Sequence, residues 1–169
     1  MQQNELVNLF LDTCQRLLTV FEEKNNLDER VKVIRSKELP DDLRDCAGYI
    51  VESTNLSGVR PFSRFFYVLS EIEVTRVFRV FASNLTYSFY YAIHKKSGKI
   101  IVVDDEGDEA YEAAKSVESF LEVLIELMLF EISQIDGHVH DDASRNACLR
   151  KCIALAGGDQ FSEYYKILL

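Results

Sequence analysis

The stretch Gly98-Lys99-Ile100-Ile101-Val102-Val103-Asp104-Asp105-Glu106-Gly107-Asp108-Glu109 decides how the chain is read. Ile100 to Val103 is a short β-branched run bounded by turn residues, the pattern of a buried strand. Upstream, His94-Lys95-Lys96-Ser97-Gly98-Lys99 is a hairpin turn, with Gly98 free to take a positive φ. The turn implies a partner strand over Tyr87 to His94. Before it, Val74 to Ala82 is rich in β-branched and aromatic residues and reads as a further strand. Alternation places Val77, Arg79 and Phe81 on one face of that strand, and Arg76, Phe78, Val80 and Ala82 on the other. The expectation is a three-stranded antiparallel meander, apolar on both faces and so covered on both.

Downstream, Ser116 is suited to cap a helix, and Glu118 falls in its first turn, near the positive end of the helix dipole. Phe120, Leu121, Leu124, Leu127 and Met128 carry the helix to about Ser133. Its circumference is apolar almost all round, which predicts deep burial. The exception is a stripe of Glu118, Glu122 and Glu126, spaced by four and without any basic counterpart. Like charges at that spacing cost about 0.2–0.5 kcal/mol per pair.

Charge is unevenly distributed. Between Ile100 and Ser144 thirteen acids face the single base Lys115, a net charge of −12, while all 169 residues together carry −9. The remainder is therefore slightly basic. An acidic balance argues against a general nucleic-acid binder, which needs a basic face, and suits a cationic partner. Length fits one domain spanning residues 1–169, large enough to bury about 70% of its unfolded surface without disulfides or a metal. No apolar run reaches the 18 residues of a membrane span, and Met1-Gln2-Gln3-Asn4-Glu5 lacks the basic region of a signal peptide. A cytoplasmic location is expected.

The flanks are helical. Leu6, Leu9, Phe10, Leu17, Val20 and Phe21 recur at helical spacing over residues 3–23. Val31, Val33 and Ile34 read as a short strand. Leu39-Pro40-Asp41-Asp42-Leu43 starts a helix that buries Leu43, Cys46, Ala47 and Ile50 and stops before Ser53. Gly58 and Pro61 mark a loop. Phe62 to Ser70 fits either strand or helix. After Gly137, Asp141 or Asp142 caps a helix holding Ala147, Leu149, Ile153 and Ala154, ended by Gly157-Gly158. Phe161, Tyr164, Tyr165, Leu168 and Leu169 form a last short helix.

No catalytic constellation is found. Cys14, His94 and His138 have no nucleophile signature around them. His138, His140, Cys148 and Cys152 match no standard zinc spacing, so neither metal nor cofactor is expected. Cys148 and Cys152 stand one helical turn apart, too far for a disulfide in a regular helix, so all four thiols are expected free. Gly157-Gly158 fits no phosphate loop. Tyr87, Phe89, Tyr90 and Tyr91 read as core packing rather than a base-stacking platform, since no basic groove accompanies them.

Taken in order, several pieces resemble the SUKH superfamily, which includes many bacterial immunity proteins. They are Leu39-Pro40-Asp41-Asp42-Leu43; Tyr91-Ala92-Ile93-His94; Lys96-Ser97-Gly98-Lys99-Ile100; Val102-Val103-Asp104; and Ser116 followed by Phe120-Leu121. Order and spacing carry the likeness, since each piece is weak alone. The chain departs from the family in having no tryptophan and in a long tail beyond Ile135. The resemblance implies an α+β fold, with N-terminal and C-terminal helices packed around a central antiparallel sheet. It implies no enzyme activity, but binding and neutralisation of a cognate polymorphic toxin, often a nuclease.

A basic toxin domain would meet the acidic region, with Asp104, Asp105, Glu106, Asp108 and Glu109 foremost and Glu118, Glu122 and Glu126 behind them. The competing reading is an acidic secretion chaperone, commonly a homodimer that clamps an extended effector segment. A regulatory scaffold is a third.

Overall fold

A computed structural model of the chain describes residues 3–27, 31–35, 46–58, 66–84, 86–137 and 141–169. Its elements are α1 (Gln3–Lys24), α2 (Cys46–Ser53), β1 (Tyr67–Val74), β2 (Phe78–Asn84), β3 (Phe89–His94), β4 (Ile100–Val103), β5 (Glu109–Ala114), α3 (Val117–Ile135), α4 (Asp142–Ala156) and α5 (Ser162–Leu168). The strands form one antiparallel sheet in the order β1-β2-β3-β4-β5. The fold is α+β, with helices from both ends of the chain around a central antiparallel sheet.

The expected meander is present as β2, β3 and β4, and two further strands extend it. The stretch Val74 to Ala82 is not one strand. The chain turns at Thr75–Val77, and Val74 pairs with Arg79 across the hairpin. No Gly, Pro, Asn or Asp announces this turn. The Thr75 hydroxyl closes it by accepting from the Phe78 amide at 2.9 Å, a side-chain substitute for a turn residue. Arg76 and Val77 are therefore exposed turn residues. At the other edge, β5 reads Glu-Ala-Tyr-Glu-Ala-Ala, poor in strand formers. Pairing with β4 and the ion pair of Lys99 Nζ with Glu112 (2.6 and 2.9 Å) hold it.

Simple alternation also fails in β2. Its register slips between Val80 and Ala82, so Phe81 and Ala82 both enter the main core. Phe78 and Val80 join Ala92, Ile101 and Val103 in a smaller cluster, with Leu69 packed against it. No strand forms at Val31 to Ile34. One isolated bridge follows it, Arg35 to Thr54. Side chains satisfy its amides instead: Val31 N–H donates to Glu22 Oε1, Val33 to Gln15 Oε1 and Ile34 to Asn55 Oδ1, each at 2.7 Å.

The helices meet their expectations closely. Ser116 caps α3 by accepting from the Ser119 amide at 3.2 Å, and Asp141 caps α4 through Ser144 at 2.8 Å. α3 packs between α1 and α4. Lys24 Nζ donates to the Ile135 carbonyl at 2.8 Å, tying the C-terminal ends of α1 and α3. α2 buries Cys46, Ala47 and Ile50 as expected, whereas α4 turns Cys148, Cys152 and Ala156 inward and leaves Ala147 and Ala154 exposed. The helix start at Leu39 to Leu43, the Pro61 loop and residues 62–65 of the ambiguous Phe62 to Ser70 stretch lie outside the described residues; Tyr67 to Ser70 is strand.

At the centre of the core, Phe120 packs on Tyr91, Phe66 and Phe81. The Tyr91 and Tyr164 hydroxyls meet at 2.5 Å, and Asn84 Nδ2 donates to the Tyr91 oxygen at 3.4 Å. Burial pushes the Tyr91 phenol up to about 12, so it remains a neutral hydrogen-bonding group. Leu124 is 2% exposed within this layer. Leu124→Ala is expected to cost about 2–5 kcal/mol in urea unfolding, the range for a buried leucine. A loss below about 0.5 kcal/mol would place that side chain at the surface.

Candidate interaction surface

Successive turns of an antiparallel meander alternate between its two ends. The β1–β2 and β3–β4 turns share one end, and the β2–β3 and β4–β5 turns share the other. Sequence charge sorts the same way. Arg76, Lys95 and Lys96 stand in the first pair of turns, exposed. Lys95 Nζ donates to the Thr75 carbonyl at 2.5 Å, joining those two turns. Asp105, Glu106, Asp108 and Glu109 stand exposed at the opposite end, with Asp104 half-buried at the root of their turn. The sheet thus has a basic end and an acidic end.

Asp104 differs in role from its neighbours. Its Oδ1 accepts from the Glu106 and Asp108 amides at 3.0 and 2.9 Å. The backbone closes the same loop, Asp104 N–H donating to the Asp108 carbonyl at 3.0 Å. Gly107 provides the positive φ of +87° that this tight path requires. The carboxylate of Asp104 shapes the turn, and the other four acids project from it. Asp104→Ala is expected to cost about 1 kcal/mol and to shift the Glu106 and Asp108 amide resonances. Asp104→Asn, which keeps an acceptor, should do much less. Equal effects from both substitutions would remove the turn-shaping role.

The structure brings Asp104, Asp105, Glu106, Asp108 and Glu109 together but does not bring Glu118 to them. Glu109 pairs with Val103 at one end of β5, and Ala114 pairs with Ile100 at the other. α3 starts three residues after Ala114. Six strand residues span about 20 Å, so Glu118 begins at the far end from the acidic turn. Glu118, Glu122 and Glu126 are all half-buried. Glu126 has a basic partner after all, since Lys151 of α4 forms an ion pair with it. That pairing raises the Lys151 pKa. The partner was invisible in the helix sequence because it comes from a different helix.

The aromatic series beside this end divides in two. Tyr91 is core, at 1% exposure, but Tyr87 and Tyr90 are 40% and 37% exposed. Tyr87 stacks on Phe89 at 6.3 Å, and Phe89 meets Tyr111 edge-on at 5.9 Å. The Tyr87 hydroxyl donates to the Ile167 carbonyl at 3.3 Å. Tyr87 and Tyr90 were expected in the core; Tyr87 instead precedes β3, which begins at Phe89, and Tyr90 lies exposed within it.

Among the described residues the nucleophile candidates Cys14 and His94 stand on different elements, α1 and β3. Cys14 is buried in the α1–α3 contact, its Sγ 3.9 Å from Met128 Sδ, and burial pushes its thiol well up, which disfavours a reactive thiolate. His94 Nδ1 accepts from the Ser97 amide at 3.1 Å within the β3–β4 turn. Among the described residues no three His, Cys, Asp or Glu are grouped to hold a metal ion, and His138 and His140 lie outside them. Cys148 and Cys152 are buried with their sulfurs 3.9 Å apart, against about 2.05 Å in a disulfide. Intact mass under non-reducing conditions is expected to show no two-proton loss and no bound zinc; either would contradict this geometry. Among the described residues no helix is long and apolar enough to cross a membrane. No protein-family model, curated protein or solved structure matches this chain.

Proposed function

We propose that this chain is an immunity protein that binds a cognate polymorphic toxin and neutralises it. The partner is a basic toxin domain, and the acidic end of the sheet covers its working surface. One observation carries the reading: four exposed carboxylates project from one turn-and-strand edge, ordered by Asp104, at the opposite end of the sheet from the basic turns. A domain that acts on phosphates must be cationic to hold them, so a compact anionic surface can compete for that site. A nuclease is the toxin type this suits. The SUKH-like passage supports the same reading, because its pieces among the described residues fall on β3, the Ser97-Gly98 turn, β4 with its trailing Asp104, and the Ser116-capped α3.

Segregated charge also has a kinetic use. A molecule with an acidic and a basic end orients in the field of a cationic partner before contact, which speeds productive encounter. An inhibitor facing an incoming toxin benefits from that speed. Purification of the chain from its native cell, with identification of what accompanies it, tests the proposal. The expected companion is a folded, basic toxin domain. An unfolded effector segment held by a dimer of this chain would replace the proposal with the chaperone reading.

A further inference from the structure

We infer that Cys148 and Cys152 form a peroxide-responsive switch: Cys148 is oxidised first, Cys152 resolves it, and the disulfide between them loosens α4 from α3. The inference does not depend on the cationic partner proposed above. The two thiols sit on the inner strip of α4 with their sulfurs 3.9 Å apart. Neither takes part in the acidic turn.

The pair is asymmetric. Cys148 is 5% exposed and Cys152 0%. Arg145, Asn146, Ala147, Arg150 and Lys151 around Cys148 are exposed, so its sulfur lies just beneath solvent. A hydrogen bond from the Cys152 thiol holds Cys148 below the ordinary thiol pKa; burial and Glu126 oppose this, and Lys151 assists it. The same hydrogen bond, with burial, pushes the Cys152 thiol up. A more acidic outer thiol touching a less acidic inner one is the arrangement of an attacking and a resolving cysteine.

A hydroperoxide is the oxidant. The Cys148 thiolate attacks one peroxide oxygen, the O–O bond breaks, and the other oxygen leaves with the proton that Cys148 gave up. Cys148 is then a sulfenic acid. The Cys152 sulfur attacks the Cys148 sulfur, the S–O bond breaks, and the hydroxyl leaves as water with the Cys152 proton. Two electrons pass from the thiol pair to the peroxide. The bond cannot form in the helix as it stands. Cβ atoms one turn apart are about 5–6 Å from each other, against about 3.8 Å in a disulfide. Closing that gap distorts the turn 148–152. Both ends of α4 are tied, by the Asp141 cap and by the Lys115 amide donating to the Ala156 carbonyl at 2.9 Å. The distortion therefore falls on the middle of the helix, where Lys151 pairs with Glu126 of α3. Oxidation thus works against the ion pair that joins the two helices.

The test treats the full, reduced chain with hydrogen peroxide and follows intact mass, cysteine mapping and amide chemical shifts. Before treatment all four thiols are free, as the 3.9 Å separation requires. After it, a two-proton loss is expected, mapped to Cys148 and Cys152 and reversed by dithiothreitol, with shifts along α4 and around Glu126. Cys148 should react at least about tenfold faster than Cys14, whose thiol burial holds well up. Cys152→Ser should stop at a sulfenic acid on Cys148, captured by dimedone, and Cys148→Ser should give neither product. Thermal melts establish that both variants fold; the parent chain's mass, mapping and shifts decide the matter if either does not. Oxidation of all four thiols at one rate, or no reaction in the folded chain, would overturn the inference. So would a sulfinic acid on Cys148 with no disulfide, or a disulfide that leaves the resonances around Glu126 unmoved.

Discussion

Phe120→Ala is expected to destabilise the fold by about 3–5 kcal/mol, the usual cost of emptying a buried aromatic site. Phe120 is 1% exposed and sits where three parts of the chain converge. Its ring lies 4.9 Å from Tyr91 of β3, 6.2 Å from Phe81 of β2 and 6.1 Å from Phe66, which leads into β1. Removing it empties the contact between α3 and the sheet. Neighbouring rings cannot collapse into the gap easily, because Tyr91 is held by Tyr164 and Asn84 through its hydroxyl. Urea unfolding followed by circular dichroism measures the loss. An unchanged slope with a lower midpoint would show that only stability had moved. A loss below about 1 kcal/mol would mean that α3 does not seat on the sheet through this ring.

Replacing Asp105, Glu106 and Asp108 together by lysine is expected to slow association with the cognate toxin by about 10–1000-fold at low salt. The parent chain's on-rate should fall steeply as salt rises, and the variant's should be nearly flat. Off-rates should move less, since exposed charges act mainly on encounter. Asp104 is left intact in this variant because its carboxylate orders the turn. Glu109 is left because it lies in β5 opposite Val103. Folding stability should change by no more than about 0.5 kcal/mol, as is usual for exposed positions. Stopped-flow binding across a salt series gives both rates. An on-rate indifferent to salt and to the lysine substitutions would make the acidic turn a solvated loop with no part in recognition.

What could be read from the sequence, and what could not, follows from how local each signal is. α1 and α5 were legible from apolar residues at helical spacing, and α3 and α4 also from the capping side chains Ser116 and Asp141 just before them. β3, β4 and the Gly98 turn were legible because β-branched and aromatic runs flank a turn glycine. β5 was not, because alanine and glutamate carry no strand signal and the order comes from β4 and Lys99. The Thr75 turn was hidden by the absence of any usual turn residue. The slip in β2 could not be foreseen from alternation, since only pairing with β3 reveals it.

The candidate surface was half legible. Its acids were plain as a charge run, and their clustering follows from a single turn. The extension of the surface onto Glu118, Glu122 and Glu126 was not supported for Glu118, which starts at the far end of β5. For Glu126 the missing term was Lys151, brought in by α4. The absence of a basic groove pointed Tyr87 and Tyr90 to the core, but exposure depends on how the chain enters β3 and on what packs against it.

Neutralisation itself is tested most directly by rescue of growth. The toxin domain that co-purifies with the chain is expressed in a heterologous host, with and without the chain alongside it. Growth is expected to arrest with the domain alone and to be restored when the chain is co-expressed, with weaker rescue by the Asp105, Glu106 and Asp108 lysine variant at matched low expression. Growth that remains arrested despite a stable complex, or a captured partner that is harmless by itself, would contradict it.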